Sequence, residues 1–258
     1  MPNHSIGILF LTPRPVLLAF AIAGPAFAAE AMPEDFVYLR DLDPTIAQDM
    51  RYAGSRNFTE APVPGYQASE CVLVRQAAEA LKRVQDGLRA KDLTLKVYDC
   101  YRPTQAVASF VEWAKEPDDP KAKATYYPNL DKKALFPDYI ATRSGHSRGA
   151  TVDLTIEPLD AKPASDETES QSCTAPKSGF APDGSIAMGT SFDCFDVKAN
   201  TETPGLSDEE RTNRAALVEA MQAQDFQNYP MEWWHFTFQP EPYPDTYFDF
   251  PITPRPSN

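Results

Sequence analysis

Residues 144–153 read S-G-H-S-R-G-A-T-V-D, and residues 232–235 read E-W-W-H. The first stretch is a glycine-flanked turn that leads into an alternating strand, with a histidine and an aspartate seven residues apart. The chain has 3 histidines, and only His4 lies outside these two stretches. A turn followed by a strand can bring both side chains of the first stretch to one point, and the second stretch supplies another histidine and another acid.

His146, Asp153 and His235 have the chemistry of three zinc ligands. Catalytic zinc sites usually have three protein ligands and leave one position open for water. Glu232 is then the carboxylate left over to act as a general base, because zinc lowers the pKa of its water toward about 7. The alternative is a histidine that caps a tight turn and an aspartate on a solvated strand face. Because the two motifs occur together, we predict a metallohydrolase with one Zn²⁺ per chain.

The spacing within E-W-W-H constrains how the second motif is built. Residues three apart on a regular strand point to opposite faces, so Glu232 and His235 cannot both reach one site from a strand. We therefore predict that Glu232 lies in the turn after Pro230 and that His235 lies on the strand. Trp233 and Trp234 are expected in the core, where an acidic neighbour is costly unless it has a function.

The remaining sequence predicts helices mixed with short strands. Amphipathic spacing and a capping box at Ser207 and Glu210 indicate helices over 69–90, about 104–114 (capped by Thr104) and 207–224. Alternation indicates a half-buried strand over 93–99 and another strand over 150–156, and residues 231–238 are aromatic and β-prone. Residues 115–143 are expected to form a long ordered loop and residues 160–185 a surface excursion. Because regular βαβ alternation is missing, we predict an α+β fold with an antiparallel sheet and flanking helices.

Composition limits the classes of partner. The chain has 258 residues and a net charge of −13. An acidic chain with no basic stripe has no electrostatic route to a phosphate backbone, so nucleic acid is not an expected partner. The length suits one domain with a large core, and the sequence leaves the oligomeric state open.

Residues 1–28 have the pattern of a secretory signal peptide. Arg14 precedes an apolar run at 16–23, and Ala26-Phe27-Ala28 provides the small residues that a signal peptidase requires. The run is far shorter than the roughly 20 residues that span a bilayer. No cysteine lies near the cleavage point, so no stable membrane anchor is expected. We predict a single catalytic domain at residues 29–258, located in the periplasm or secreted.

The chain has 4 cysteines, an even number that suits disulfides in an oxidising compartment. None has C-x-x-C spacing, which argues against a cysteine zinc site. Cys71 opens a predicted helix and Cys100 ends the strand after it, whereas Cys173 and Cys194 bracket the polar excursion. Of the three possible pairings, we predict Cys71–Cys100 with Cys173–Cys194.

Arg102 follows the end of a predicted strand in the motif Y-R-P. A guanidinium group in that place can stabilise the oxyanion that develops when a peptide carbonyl is attacked. A single arginine is also often a surface or salt-bridge residue. Its position after the strand favours the functional interpretation.

Several motifs together resemble the D-alanyl-D-alanine dipeptidases, zinc peptidases whose best-known members act in vancomycin resistance. The resemblance covers nearly all of the chain after residue 28. It rests on R-Y-A-x-x-x-N-F-T at 51–59, Y-D-C-Y-R-P at 98–103, Y-Y-P-N at 126–129, S-G-H-S-R-G-A-T-V-D-L-T at 144–155, M-G-T-S-F-D at 188–193, N-R at 213–214, E-W-W-H-F at 232–236 and E-P-Y-P-D-T-Y-F-D-F-P at 241–251.

The resemblance implies a fold shared with zinc D,D-carboxypeptidases and the hedgehog signalling domain. It implies zinc on the three ligands named above, Glu232 as the catalytic base and Arg102 as the group that stabilises the transition state. It also implies that Asp193 receives the free ammonium of the substrate, with Tyr52 and Ser144 lining the pocket. The expected activity is hydrolysis of D-Ala-D-Ala to two D-alanines.

The export signal and the cysteines depart from the resistance enzymes, which act in the cytoplasm. An exported enzyme cannot deplete cytosolic dipeptide, so scavenging or turnover of wall-derived dipeptide is the expected role. One alternative is a D,D- or L,D-carboxypeptidase that trims peptidoglycan stem peptides. Another is a non-catalytic, zinc-bearing wall-binding module. The presence of Glu232 and Arg102 argues against that module, because binding needs the metal but not the base.

Overall fold

The computed structural model describes residues 1–2, 30–161, 171–175 and 183–256. The predicted signal peptide therefore lies, apart from its first two residues, outside the described residues, and so does most of the predicted excursion at 160–185. No helix within the described ranges is long and apolar enough to cross a membrane.

Strands and helices alternate irregularly along the chain. The strands are β1 (Phe36–Tyr38), β2 (Ala47–Gln48), β3 (Val72–Val74), β4 (Leu93–Asp99), β5 (Thr151–Pro158), β6 (Phe226–Asn228) and β7 (His235–Phe238). The α-helices are α1 (Leu39–Leu42), α2 (Arg75–Arg89), α3 (Thr104–Trp113), α4 (Pro120–Tyr126) and α5 (Asp208–Gln222). Short 3₁₀ turns include Arg51–Ala53, Lys132–Leu135, Gly145–Arg148 and Val197–Ala199.

Five strands form the main sheet in the order β2-β4-β5-β7-β6. All of its neighbouring pairs are antiparallel except β2 with β4, which is parallel. A separate antiparallel pair joins β1 to β3. The predicted α+β fold with a largely antiparallel sheet is confirmed, and β5 lies at the centre of the main sheet.

The two long helices are amphipathic. The predicted apolar stripe of α2 is buried, including Ala77, Leu81, Val84 and Leu88. This helix begins at Arg75 instead of residue 69 because the preceding residues pair with β1 as strand β3. The predicted capping box of α5 is confirmed: the Ser207 side chain accepts from the Glu210 amide, and the Glu210 carboxylate accepts from the Ser207 amide. These caps satisfy amide groups that have no partner within the helix.

Two further predictions of local structure were wrong. Thr104 is the first helical residue of α3, and its side chain does not cap the helix, whose cap residue is Pro103. The predicted loop at 115–143 contains α4, which is capped by Asp119, whose carboxylate accepts from two backbone amides. Within the β-prone stretch at 231–238 the strand is regular only from His235 onward, and the residues before it form the predicted turn that carries Glu232.

Both predicted disulfides are confirmed. Cys71 is bonded to Cys100 and Cys173 to Cys194, and all four side chains are buried. The first bond connects the start of β3 to the chain that leaves β4. The second connects the described segment 171–175 to the loop that carries Asp193.

Candidate active site

His146 lies in the 3₁₀ turn Gly145–Arg148, which feeds β5. The turn ends at Gly149, whose φ of +80° is in the left-handed region. A Cβ atom at this position would lie 2.3 Å from the ring of Phe36, so only glycine fits the turn without displacement. The Ser144 side chain accepts a hydrogen bond from the His146 amide at 3.3 Å and fixes the start of the turn.

The other two predicted ligands, Asp153 and His235, lie opposite each other on neighbouring strands. Asp153 on β5 is paired in register with His235 on β7, and with Asp99 on β4. Nε2 of His146 lies 3.3 Å from Oδ2 of Asp153 and 3.3 Å from Nδ1 of His235. Nδ1 of His235 lies 3.0 Å from Oδ1 of Asp153. Three potential ligand atoms from a turn and two strands therefore converge on one point.

The protonation chemistry of this cluster fits a divalent metal ion. Nδ1 of His146 donates to the carbonyl oxygen of Cys100 at 2.7 Å, which leaves the lone pair of Nε2 directed at the cluster. Burial alone would raise the pKa of Asp153, but the two histidines hold that pKa well below its usual value. Burial lowers the pKa of His235. An ionised carboxylate and neutral imidazoles are the forms that bind metals.

One buried oxygen supports the same interpretation. Oδ1 of Asp153 is shielded from solvent and accepts no hydrogen bond, although Nδ1 of His235 is 3.0 Å away. A carboxylate oxygen and an imidazole nitrogen that face a common point are both satisfied when a cation lies there. The three residues thus form a fitting site for a metal with nitrogen and oxygen ligands.

Glu232 lies in the turn before β7, as predicted, and faces the same cluster. Its Oε2 is 3.5 Å from Nδ1 of His235. Burial, followed by the charges of Asp153 and Asp193, raises the pKa of Glu232 well above its usual value. The turn is held by Asn228, whose side-chain amide donates to the carbonyl oxygens of Glu232 and His235 at 3.1 Å each. A buried carboxyl with a raised pKa suits a group that takes up and releases a proton.

Arg102 is fixed by an acid that the sequence analysis did not single out. Its Nε and Nη2 atoms both lie 2.9 Å from Oδ2 of Asp99, and Tyr66 donates to the other oxygen of that carboxylate at 2.6 Å. Nη2 of Arg102 is also 3.6 Å from Oδ2 of Asp153. Arg102 therefore forms a salt bridge, as in the alternative interpretation, and also lies beside the cluster of potential metal ligands. The sequence did contain a signal for this partner, because Asp99 lies three residues before Arg102 in Y-D-C-Y-R-P.

Asp193 lies in a loop with a left-handed φ of +57°. The hydroxyl of Tyr52 donates to its carboxylate, at 3.0 Å from Oδ1 and 2.9 Å from Oδ2. Burial, with a contribution from Asp153, raises the pKa of Asp193 to about 8, although the tyrosine bond opposes that shift. The carboxyl is thus buried close to the cluster without a basic partner at hydrogen-bond distance among the described residues.

A cavity of about 220 Å³ unites these groups. All eight residues singled out in the sequence as ligands, catalytic groups or pocket residues line it: Tyr52, Arg102, Ser144, His146, Asp153, Asp193, Glu232 and His235. Its aromatic walls were not predicted, because their residues are scattered along the chain: Phe58, Phe110, Tyr139, Phe195, Tyr229 and Trp234. This volume is below the range typical of drug-sized ligands and suits a small one.

A buried cluster of potential metal ligands with an adjacent carboxyl and a guanidinium group is typical of a metallopeptidase site. The chain matches the family described as D-ala-D-ala dipeptidase, a Peptidase M15 family, over residues 32–167 and 183–253, and it belongs to that family. The predicted membership is confirmed.

Curated relatives cover most of the chain. A D-alanyl-D-alanine dipeptidase of Streptomyces coelicolor is 39% identical over 225 residues, which are 86% of this chain and 100% of the relative. One of Enterococcus faecalis is 34% identical over 223 residues, again 86% of this chain and 100% of the relative. One of Enterococcus faecium is 33% identical over 218 residues, 84% of this chain and 98% of the relative.

Proposed function

We propose that this protein is a zinc-dependent dipeptidase that hydrolyses D-Ala-D-Ala to two D-alanines. The observation that carries the proposal is the position of Asp193. This buried carboxyl lines the same small cavity as the metal-binding cluster and Glu232. A dipeptide has its ammonium one residue from the scissile bond, so a carboxylate close to the reacting centre can pair with it. The names of the relatives agree with this substrate.

We assign the metal to His146, Asp153 and His235, and we choose zinc because two imidazoles and a carboxylate are a frequent catalytic ligand set for that ion. Bound there, zinc would supply Lewis acidity that polarises a peptide carbonyl and acidifies a water molecule. The protein contributes the rigid geometry, since the three ligands come from one glycine-terminated turn and two hydrogen-bonded strands.

Glu232 moves the proton in this mechanism. Its carboxylate removes a proton from the attacking water and then delivers it to the nitrogen of the departing D-alanine. Because burial raises the pKa of Glu232, the carboxyl can hold that proton between the two steps. Asn228 keeps the turn in place, so the carboxylate stays directed at the cluster while its protonation state changes.

Arg102 stabilises the negative charge that develops on the carbonyl oxygen. Its guanidinium group is held by Asp99 and lies over the rings of Tyr52 and Phe110, at 5.1 and 5.2 Å from the ring centroids. A donor that is already oriented needs no reorganisation when charge appears. The Arg102 side chain is only 13% exposed, so its charge is weakly screened by water.

Tyr52 and Ser144 shape the pocket indirectly. Tyr52 holds the Asp193 carboxylate and forms a wall under Arg102, while Ser144 fixes the turn that carries His146. We infer that these two residues contribute orientation more than direct contacts with the substrate.

We further propose that residues 1–28 direct export and that residues 29–258 form the single catalytic domain. The N-terminal pattern, the two buried disulfides and a family match that starts at residue 32 support this arrangement. The corresponding physiological role is scavenging or turnover of dipeptide released from the cell wall.

The proposal is tested by offering the purified, zinc-loaded protein two substrates, D-Ala-D-Ala and its N-acetylated form. The acetyl group removes the ammonium, which leaves the buried Asp193 carboxylate unpaired. We expect kcat/KM for the free dipeptide to be about a hundredfold higher or more, and Asp193→Asn to narrow that gap. Comparable rates on both substrates would support the carboxypeptidase alternative. Tight zinc binding with no hydrolysis of either would support the wall-binding module.

A further inference from the structure

The Cys71–Cys100 disulfide is attached to the backbone group that orients a metal ligand. The carbonyl oxygen of Cys100 is the acceptor for Nδ1 of His146, at 2.7 Å. That hydrogen bond sets both the tautomer and the ring orientation of the histidine. Displacement of this carbonyl would turn Nε2 of His146 away from Asp153 and His235.

The main sheet does not by itself fix this carbonyl. The register of β4 with β5 shifts between Val97 and Asp99, and its last pair is Asp99 with Asp153. Cys100 lies just beyond that pair. The next residue, Tyr101, donates its amide to the carbonyl of Val72 at 2.9 Å, so this hydrogen bond and the disulfide attach the segment to β3.

The same strand β3 also supports the turn that carries His146. The amide of Val74 donates to the carbonyl of Gly149 at 2.9 Å. The histidine and the carbonyl that orients it are therefore attached to one short strand, the histidine through Gly149 and the carbonyl through Cys71. The disulfide is the covalent part of this support.

The Cys173–Cys194 disulfide lies next to the other half of the site. Cys194 directly follows Asp193, whose left-handed backbone conformation is unfavourable for a residue with a Cβ atom. The amide of Ser191 donates to the carbonyl of Cys173 at 3.1 Å, and the amide of Phe195 donates to the carbonyl of Tyr126 at 2.8 Å. The loop is thus fixed on both sides of Asp193, with the disulfide as one of its fixed points.

We propose that the two disulfides are positioning elements for different halves of the site. Cys71–Cys100 sets the affinity for the metal through His146, and Cys173–Cys194 sets the affinity for the substrate through Asp193. The assignment of Cys173–Cys194 to substrate affinity rests on the proposed dipeptidase function. Since Cys71–Cys100 positions His146, full metal affinity is reached only after this bond has formed. Disulfide bonds form in oxidising compartments. Metal retention is thereby coupled to oxidation of the protein.

The test compares two matched double variants of the full chain, Cys71→Ala/Cys100→Ala and Cys173→Ala/Cys194→Ala. Each double variant removes one buried disulfide, so the loss of overall stability is expected to be similar in both. Zinc affinity is measured by competition with a chromophoric chelator, and kcat and KM are measured with D-Ala-D-Ala. We expect the first variant to lose about tenfold or more in zinc affinity. We expect the second to keep zinc affinity within about twofold and to raise KM several-fold, since its metal ligands are intact.

Equal zinc affinity in both variants and the wild type would overturn the first assignment, and a parallel loss in both would show general destabilisation instead of positioning. If a variant does not fold, the same zinc titration is made on wild-type protein before and after its bonds are opened with a reductant. Unchanged zinc affinity after reduction would then overturn the assignment of Cys71–Cys100. The zinc titration uses no substrate, so its result is independent of whether the dipeptidase assignment is correct.

Discussion

The hydroxyl of Tyr52 lies within 3.0 Å of both carboxylate oxygens of Asp193, and both side chains are buried. This single donor opposes the effect of burial, which raises the pKa of Asp193 to about 8. The carboxyl is therefore easily protonated, and a cation bound beside it would favour its ionised form. If Asp193 receives the substrate ammonium as proposed, that recognition depends on pH.

Tyr52→Phe is expected to shift the pH dependence of kcat/KM. Without the hydroxyl, the pKa of Asp193 rises further, because the hydrogen bond favours the charged form. Asp193 must be ionised to bind the ammonium, so the acidic limb of the profile moves to higher pH, by about one unit for a bond to a charged group. Tyr38→Phe, which removes a hydroxyl bonded to Thr253, is the matched control. An unmoved limb would show that Asp193 does not control the profile.

Glu232→Gln should separate metal binding from catalysis. The amide has nearly the same shape but cannot accept the proton from water, so kcat should fall by about a thousandfold while zinc content stays near one ion per chain. His146→Ala should lose zinc affinity together with activity, because it removes a ligand. Metal analysis and steady-state kinetics on the two variants check this. A zinc-free Glu232→Gln protein would mean that Glu232 is a ligand and not the base.

Asp99→Asn should impair the reaction through Arg102. The neutral amide loses the charge-assisted bonds at 2.9 Å that orient the guanidinium group. We expect kcat to fall by about a hundredfold, and Arg102→Ala to have an effect of similar or greater size. The double variant should be little worse than Arg102→Ala alone, because both changes remove the same interaction. Additive losses would show that Asp99 acts independently, for example through His146, whose Nδ1 is 3.5 Å away.

Gly149→Ala should destabilise the fold far more than Gly205→Ala. Both glycines have a left-handed φ, +80° and +86°, so each alanine carries a backbone cost of about 1–2 kcal/mol. At Gly205 a Cβ meets nothing within 4 Å, whereas at Gly149 it would lie 2.3 Å from the Phe36 ring. Overpacking adds about 1–3 kcal/mol to the free-energy cost at Gly149. Urea unfolding of both variants gives the comparison, and equal losses would contradict the packing argument.

Local features could be predicted from the sequence wherever their signals lie close together in the chain. The position of β4, the amphipathic face of α2 and the capping box of α5 were read from neighbouring residues and are present in the structure. The polar face of β4 was expected to be solvated, but Thr94 and Lys96 are buried by the residues that pack against it. The position of Glu232 in a turn followed from the geometry of strands alone. The candidate metal ligands could be chosen from the sequence because the chain has only 3 histidines, two of which lie in the two motifs.

The contacts by which these residues support one another depend on the tertiary fold and could not be predicted from local patterns. The order and register of β4, β5 and β7 place three side chains next to one another, those of Asp99, Asp153 and His235. Local sequence patterns do not encode the register between distant strands. The start of β3, which shortened the predicted helix at 69–90, depends on pairing with β1. The role of Cys100 as acceptor for His146 likewise joins residues 46 positions apart. Such contacts arise from packing and strand pairing, whose energy depends on partners that no single stretch of sequence contains.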